Sequence, residues 1–108
     1  MNSYIYILSN QKNTTLYIGM TSNLEKRIYE HQNKIIKNSF SSKYNLDKLL
    51  YLEVCEDVNA IIKREKQLKK WNREWKNELI IKLNPGLVDL FEYEGFDISF
   101  GKKVCSLT

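Results

Sequence analysis

The sequence predicts an α/β domain, a small three-stranded antiparallel sheet flanked by helices. Three observations carry that expectation. Two β-branched and aromatic runs, Tyr4 to Leu8 and Leu16 to Met20, are each of strand length and are separated only by the polar, turn-prone SNQKNTT. A third such run, LLYLEVC from Leu49 to Cys55, follows a helical stretch. Two further segments, opening at Ser22 and at Asp57, begin with capping residues and then carry apolar side chains at helical spacing. A chain of 108 residues makes one domain with a modest core.

The first two runs read as a hairpin, because the segment between them is short enough to close one. Tyr6 and Tyr17 lie at similar distances from the middle of that loop. A simple antiparallel register therefore makes them cross-strand neighbours about 5 Å apart. Gly19 follows Tyr17 by two, so a backbone without Cβ sits beside the tyrosine and leaves room for another group to approach. Ser22-x-x-Glu25 is a capping box and starts a helix near Asn23. On that helix Leu24, Ile28 and Ile35 form the apolar stripe, while Arg27 and His31 share the face beside it. Two phenols, an arginine and the one histidine of the chain can thus converge at one end of the sheet.

Lys37 to Lys48 is polar with two aromatics, Phe40 and Tyr44. It reads either as a substrate-contacting loop, Lys43 on phosphate and Tyr44 against sugar or base, or as a crossover whose aromatics cap the core. After the third strand, Asp57 is placed to cap a second helix. From Val58 to Trp75 the apolar positions 58, 61, 62, 68, 71 and 75 describe one helical face, and Glu65 falls within it. A carboxylate there is costly unless it is paired or bound to metal. Lys69, one turn on, offers an ordinary helix pair; a divalent cation is the other solution. The outer side is basic, with Lys63, Arg64, Lys66, Lys69, Lys70, Arg73 and Lys76 diluted only by Glu65 and Glu74. That is either a solvated face or a track for phosphates. Trp71 and Trp75 read as core. Lys76 to Leu83 continues as helix or forms a second short one, and Asn84-Pro85-Gly86 stops it. Leu87 to Phe91 adds a last turn against the core, and Phe96, Ile98 and Phe100 alternate as in a strand.

Charge permits a polyanionic partner without demanding one: 17 Lys and Arg against 13 Asp and Glu give +4, with a pI near 9.0. Cys55 and Cys105 form neither a disulfide framework nor a zinc spacing, and Cys55 reads as a small buried hydrophobe. No basic segment precedes the first apolar run, and no stretch approaches the roughly 20 apolar residues of a membrane span. The expectation is a soluble, cytoplasmic protein with no membrane partner.

Tyr4-Ile5-Tyr6, Tyr17-Ile18-Gly19, Arg27 and His31, in that order, resemble the GIY-YIG nuclease superfamily, and most strongly its small single-domain bacterial branch. Tyr4 stands where the family name has glycine. Ala60-x-x-x-Arg64-Glu65-Lys66 resembles the segment in which the family carries a metal-ligating glutamate, and Gln67-Leu68-Lys69-Lys70-Trp71 resembles the small branch specifically. Asn84-Pro85 followed by Asp89-Leu90 resembles that branch's closing segment, where an asparagine supports the site; Asn77 competes with Asn84 by its distance from Glu65. The likeness covers residues 3–91, so the expected organisation is a nuclease domain over 1–91 and a tail over 92–108.

The resemblance implies metal-dependent hydrolysis of DNA phosphodiester bonds. Glu65 would hold Mg²⁺ or Mn²⁺, with waters and the DNA phosphate completing an oxygen shell. Arg27 would grip the scissile phosphate as a fixed fork. Tyr17 is the first choice of general base, with Tyr6 polarising it or the water. A phenol ionises near pH 10, so it needs cations nearby to act as a base at neutrality. His31 is the alternative base or a proton relay. Lys43, Lys63, Arg64, Lys66, Lys69, Lys70 and Arg73 would contact DNA. With no second domain to read sequence, cleavage would have weak sequence preference or follow DNA structure, as in repair or recombination, aided by a protein partner or oligomerisation. Two rivals stay open: a nucleic-acid-binding module that keeps the fold without catalysis, and a basic helix that meets an acidic protein surface.

Overall fold

The computed structural model describes residues 2–32, 46, 48–92 and 102–103, with Ile28, His31, Gln32, Phe91, Lys102 and Lys103 described at the backbone alone. In chain order the elements are β1 (Ser3–Ser9), β2 (Leu16–Thr21), α1 (Leu24–Gln32), β3 (Lys48–Cys55), α2 (Val58–Lys70), α3 (Arg73–Leu83), a 3-10 turn (Leu90–Glu92) and β4 (Lys102–Lys103). The strand order is β2-β1-β3-β4. β1 runs antiparallel to both neighbours, which gives the expected three-stranded antiparallel sheet. β4 adds a two-residue parallel pairing to β3, opposite Glu53 and Val54. The strand-like alternation at Phe96, Ile98 and Phe100 lies outside the described residues, as do Ile35, Lys43 and Tyr44.

β1 is buried along its whole length, and its alternating side chains feed two cores. Ile5 and Ile7 pack with Ile18, Leu50 and Tyr51 under Ile61 and Leu68 of α2 and Leu79 and Ile80 of α3. Tyr4, Tyr6 and Leu8 point the other way and pack with Leu24 of α1, Leu49 and Leu52. Helices therefore cover both faces of the sheet.

Two irregularities set the geometry. The first is a bulge in β3: Ile7 pairs with Tyr51 but Leu8 with Leu49, so Leu50 has no partner on β1. The extra residue turns Leu50 and Tyr51 to the same face. Side chains from beyond α3 complete the backbone there. Asn84 Nδ2 donates to the Leu50 carbonyl at 3.1 Å, and the Leu49 N–H donates to Asp89 Oδ1 at 3.0 Å. Asn84 also donates to the Val88 carbonyl at 2.8 Å and accepts from its N–H, which closes the turn after α3.

The second irregularity is the hairpin loop. Asn13 takes a left-handed φ of 57° and donates its N–H to the Asn10 carbonyl at 3.0 Å. Asn10 Oδ1 in turn accepts from the N–H groups of Thr14 (2.8 Å) and Thr15 (3.2 Å). Closed this way, the loop places Tyr6 opposite Gly19 and Tyr17 opposite Leu8. The direct Tyr6–Tyr17 pairing expected from the sequence is corrected to a diagonal one, with ring centroids 6.3 Å apart. A shift of two residues keeps both phenols on one face.

The helix starts differ in detail. Asn23, not Ser22, caps α1, its Oδ1 accepting from the Lys26 N–H at 3.1 Å. Asp57 caps α2 as expected, accepting from Asn59 and Ala60. The single apolar face from 58 to 75 is divided: α2 ends at Lys70, and Asn72 caps α3 by accepting from the Trp75 N–H at 2.9 Å. Trp71 packs against the core, but Trp75 is 53% exposed and meets Trp71 edge-on, so it is not a core residue. Cys55 is buried as expected.

Two arginines of the basic stretch have partners within the fold. Glu53, in the middle of β3, is fully buried. Arg64 Nε and Nη2 each donate to one of its carboxylate oxygens at 3.0 Å, and the Tyr51 hydroxyl donates to Oε2 at 2.5 Å. Arg64 also lies 5.3 Å over the Trp71 ring and donates to Gln67 at 3.0 Å. Burial first, then Glu53, pushes the Tyr51 hydroxyl well above the usual phenol range, while the hydrogen bonds to Glu53 raise Arg64. Arg73 donates to the carbonyls of Asn13 and Thr14 and to Asn77 Oδ1, pinning the hairpin loop to α3. The guanidinium groups of Arg64 and Arg73, read from the sequence as phosphate contacts, thus also make hydrogen bonds within the fold.

Removing Arg64 strands a buried charge. Arg64→Ala is expected to cost about 3–5 kcal/mol, lowering Tm by on the order of 10–20 °C in thermal denaturation. Lys63→Ala, one residue away but exposed, is expected to stay within about 0.5 kcal/mol of the parent.

Candidate active site at the rim of the sheet

β2 is an outer strand, and Gly19 is where it is crossed. A Cβ added at Gly19 would fall on Cζ and Oη of Tyr6 and lie 2.7 Å from its Cε2. The space that the sequence left for an incoming group is therefore filled by the Tyr6 phenol. This corrects the role of Gly19 from open approach to passage for a side chain. Tyr6 reaches across the outer strand and is only 1% exposed, while Tyr17 beside it is half-buried.

Charges from both helical layers meet this phenol. α1 brings Arg27 and Glu30 from the face on which Tyr6 packs. α2, which covers the opposite face and packs chiefly along β2, brings Glu65. Burial pushes Tyr6 well above the usual phenol range; Tyr17, Glu65 and Glu30 add to the shift, and Arg27 opposes it. Tyr6 accordingly keeps its proton at neutral pH. Arg27 Nε lies 3.9 Å from Glu30 Oε1, with both side chains partly exposed. Glu30 was not among the sequence candidates. Its signal was present in the spacing, one turn from Arg27 and adjacent to His31. The backbone places His31 one turn beyond Arg27 on α1.

Glu65 lies between Ile61 and Leu68, both fully buried, yet its own side chain is 19% exposed because it stands at the rim. The helix pair with Lys69 is present at 3.7 Å. An exposed pair of that kind contributes no more than about 0.5 kcal/mol, so it leaves the carboxylate available to a cation. Among the described residues no three His, Cys, Asp or Glu side chains converge. One carboxylate suits Mg²⁺ or Mn²⁺, which keep waters and take phosphate oxygens, and does not suit a closed zinc site.

The other predicted residues distribute as follows. Lys63, Lys66 and Lys70 are exposed along one side of α2. Asn84 is 4% exposed and tied to Leu50 and Val88, and Asn77 accepts from Arg73, so both asparagines serve the frame. A cavity of about 140 Å³ behind the hairpin loop is lined by Asn13, Leu16, Arg73, Asn77 and Ile80, and no member of the Tyr6 cluster borders it.

Two outcomes follow from the crossing. Gly19→Ala is expected to displace the Tyr6 ring and destabilise the fold by about 1–3 kcal/mol, read by urea denaturation, with near-ultraviolet circular dichroism reporting the phenol. The raised Tyr6 pKa has a sign as well. Its stabilising share is fully present below the unfolded value near pH 10 and is lost as pH rises from there, by up to about 1.4 kcal/mol per unit. Tyr6→Phe is expected to flatten the alkaline fall in stability between about pH 10 and 11.5, and an unchanged slope would remove the buried-phenol assignment.

Comparison with known proteins identifies the domain. A model of the GIY-YIG catalytic domain matches residues 2–78, a span that includes Tyr6, Tyr17, Arg27 and Glu65. A UPF0213 protein of Syntrophus aciditrophicus is 39% identical over 83 residues, covering 77% of this chain and 93% of that one. Another from Clostridium perfringens is 39% identical over 82 residues, 72% of this chain and 82% of its own. The solution structure of a UPF0213 protein from Bacillus halodurans shares the fold, with a TM-score of 0.50 and 23% identity over 80% of this chain and 88% of that one. A nuclease is the kind of enzyme that such a domain implies, with DNA as the implied substrate. Matched over most of its length by the domain model and by small proteins of similar size, the chain belongs to the GIY-YIG family, among its UPF0213 members.

Proposed function

We propose that this protein is a divalent-metal-dependent DNA endonuclease with little sequence preference, directed by DNA structure. The observation that supports this most is the meeting of Tyr6, Tyr17, Arg27 and Glu65 at one rim of the sheet, drawn from two strands and two helices. Phosphodiester hydrolysis needs a deprotonated water, a neutralised phosphorane and a relieved leaving oxygen. The rim offers a group for each.

Arg27, partly exposed and steadied by Glu30, presents a planar fork to the scissile phosphate and stabilises the charge that grows on its oxygens. Tyr17, half-buried on the outer strand, takes the proton of the attacking water, and His31 on α1 relays it or replaces it as base. Tyr6, protonated, donates to the attacking oxygen or to Tyr17 and so orients the nucleophile. Glu65 would hold the Mg²⁺ or Mn²⁺, which supplies Lewis-acid stabilisation of the phosphate. Lys63, Lys66 and Lys70, exposed on α2, provide a track for the DNA backbone. Contacts to phosphate position without reading bases, which favours structural over sequence selection. A role in repair or recombination, with a partner or a second copy adding specificity, fits such a substrate.

The test is cleavage of labelled branched, nicked, single-stranded and duplex DNA with and without Mg²⁺. Glu65→Ala, Arg27→Ala and Tyr17→Phe are each expected to lower the rate by at least about 10²-fold, the size of a lost general base or oxyanion donor, with folding intact. Equal activity in all three would sink the assignment, and binding without cleavage by the parent would turn the protein into a binding module. Lys63→Ala/Lys66→Ala/Lys70→Ala is expected to make the salt dependence of DNA affinity shallower by about 2–3 units of slope.

A further inference from the structure

We propose that the Tyr51–Glu53–Arg64 network is a positioning device for Glu65: it fixes the roll of α2 so that the next side chain presents its carboxylate at the rim. The proposal rests on the reading of Glu65 as the metal ligand. It concerns residues that neither the family match nor the relatives' names assign.

Arg64 and Glu65 are consecutive, so their side chains leave α2 about 100° apart. They go to opposite sides of β1. Arg64 reaches Glu53 on β3, with both guanidinium contacts at 3.0 Å. Glu65 stands toward β2, the strand on the other side of β1, where its charge acts on Tyr6. One residue thus anchors the helix from the inner side, and its neighbour does its work at the outer edge.

The apolar contacts of α2 do not by themselves hold this roll. Ile61 and Leu68 press the helix onto the sheet, but apolar contact is non-directional. A roll of about 20° would keep both buried and move a side chain at the helix surface by about 2 Å, given a helix radius of about 5–6 Å. A ligand set tolerates errors of a few tenths of an ångström. A bidentate arginine–carboxylate pair is directional in both distance and plane. Here its acceptor is itself locked by the Tyr51 hydroxyl, and its donor is held between the Trp71 ring and Gln67. Both ends of the pair are therefore held by further contacts. The cluster also has no route to the chemistry of its own, because Glu53 is fully buried and its oxygens are taken.

The test separates alignment from stability. Tyr51→Phe/Glu53→Met/Arg64→Met exchanges the buried ion pair, and the phenol hydroxyl that would otherwise lose its acceptor, for apolar groups of similar size, a change that commonly leaves a fold as stable as before. Arg64→Lys keeps the charge and loses the planar fork. Each variant, with the parent and Glu65→Ala, is assayed for thermal unfolding, for direct Mn²⁺ binding by electron paramagnetic resonance without DNA, and for the Mg²⁺ dependence of cleavage. The triple variant is expected to unfold near the parent temperature yet bind Mn²⁺ about 10–100-fold more weakly, the usual loss when an outer support of a ligand is removed, with the Mg²⁺ requirement of cleavage rising in step. Arg64→Lys, if folded, is expected to fall between the two. Parent-like Mn²⁺ affinity in either folded variant overturns the positioning role. Mn²⁺ binding by the parent that Glu65→Ala leaves unchanged overturns instead the assignment of Glu65 as ligand, a distinguishable failure.

Discussion

Glu53 has no exposed surface and sits in the middle of a central strand, where an unpaired carboxylate would cost several kcal/mol. Much of the surrounding structure follows from that demand. Arg64 must turn inward rather than outward, although it lies on the most basic stretch of the chain. Tyr51 must face the same way as Glu53, and the bulge at Leu50 is what brings Tyr51 and Leu50 onto that face together. Trp71 then covers the guanidinium from above, close to where α2 ends. A polar network of this kind is weak evidence for extra stability. Its value lies in orientation, because directional contacts constrain a helix in ways that methyl groups do not.

The rim of β2 is a place where charges from helices on opposite faces of the sheet come within electrostatic reach. A sheet normally insulates the helices on one face from those on the other. Gly19 breaks that insulation by letting Tyr6 pass over the outer strand. The phenol is then loaded by burial and by Tyr17, Glu65 and Glu30, against the one opposing charge of Arg27. A site with this balance suits an incoming cation and a phosphate together, since the cation answers the carboxylates and the phosphate answers the arginine. Neither would be as well accommodated alone.

Much of this was legible in the sequence. The strand runs, the Asp57 cap and the three-stranded sheet follow from local pattern, because β-branched alternation and capping are short-range signals, and helical spacing alone brought Arg27 to the two phenols. What escaped were choices made by tertiary contact. The hairpin register was off by two because Asn13 adopts a left-handed conformation that its residue type permits but does not require. The helix from 58 to 75 was read as one because the apolar spacing runs across the break, while the Asn72 cap resembles any surface asparagine. Arg64 and Arg73 were indistinguishable from the lysines beside them until their partners, Glu53 and the hairpin carbonyls, were seen. The clearest missed signal was Glu53 itself, a lone carboxylate in LLYLEVC. The physical rule applied to Glu65, that a buried charge needs a partner, applied with more force there.

Asn84 and Asp89 have a consequence for where the folding unit stops. The domain match ends at residue 78, and every residue of the rim precedes that point. The backbone of Leu49 and Leu50, however, is satisfied by side chains that come after it, and Leu90 is buried against the same core. A chain cut at 78 would retain the whole catalytic set while baring donors and acceptors along β3. Such a strand is a template for another molecule's backbone, so the shortened protein would tend to pair with itself. The segment that matters least to the chemistry is therefore the one that completes the strand on which the chemistry stands.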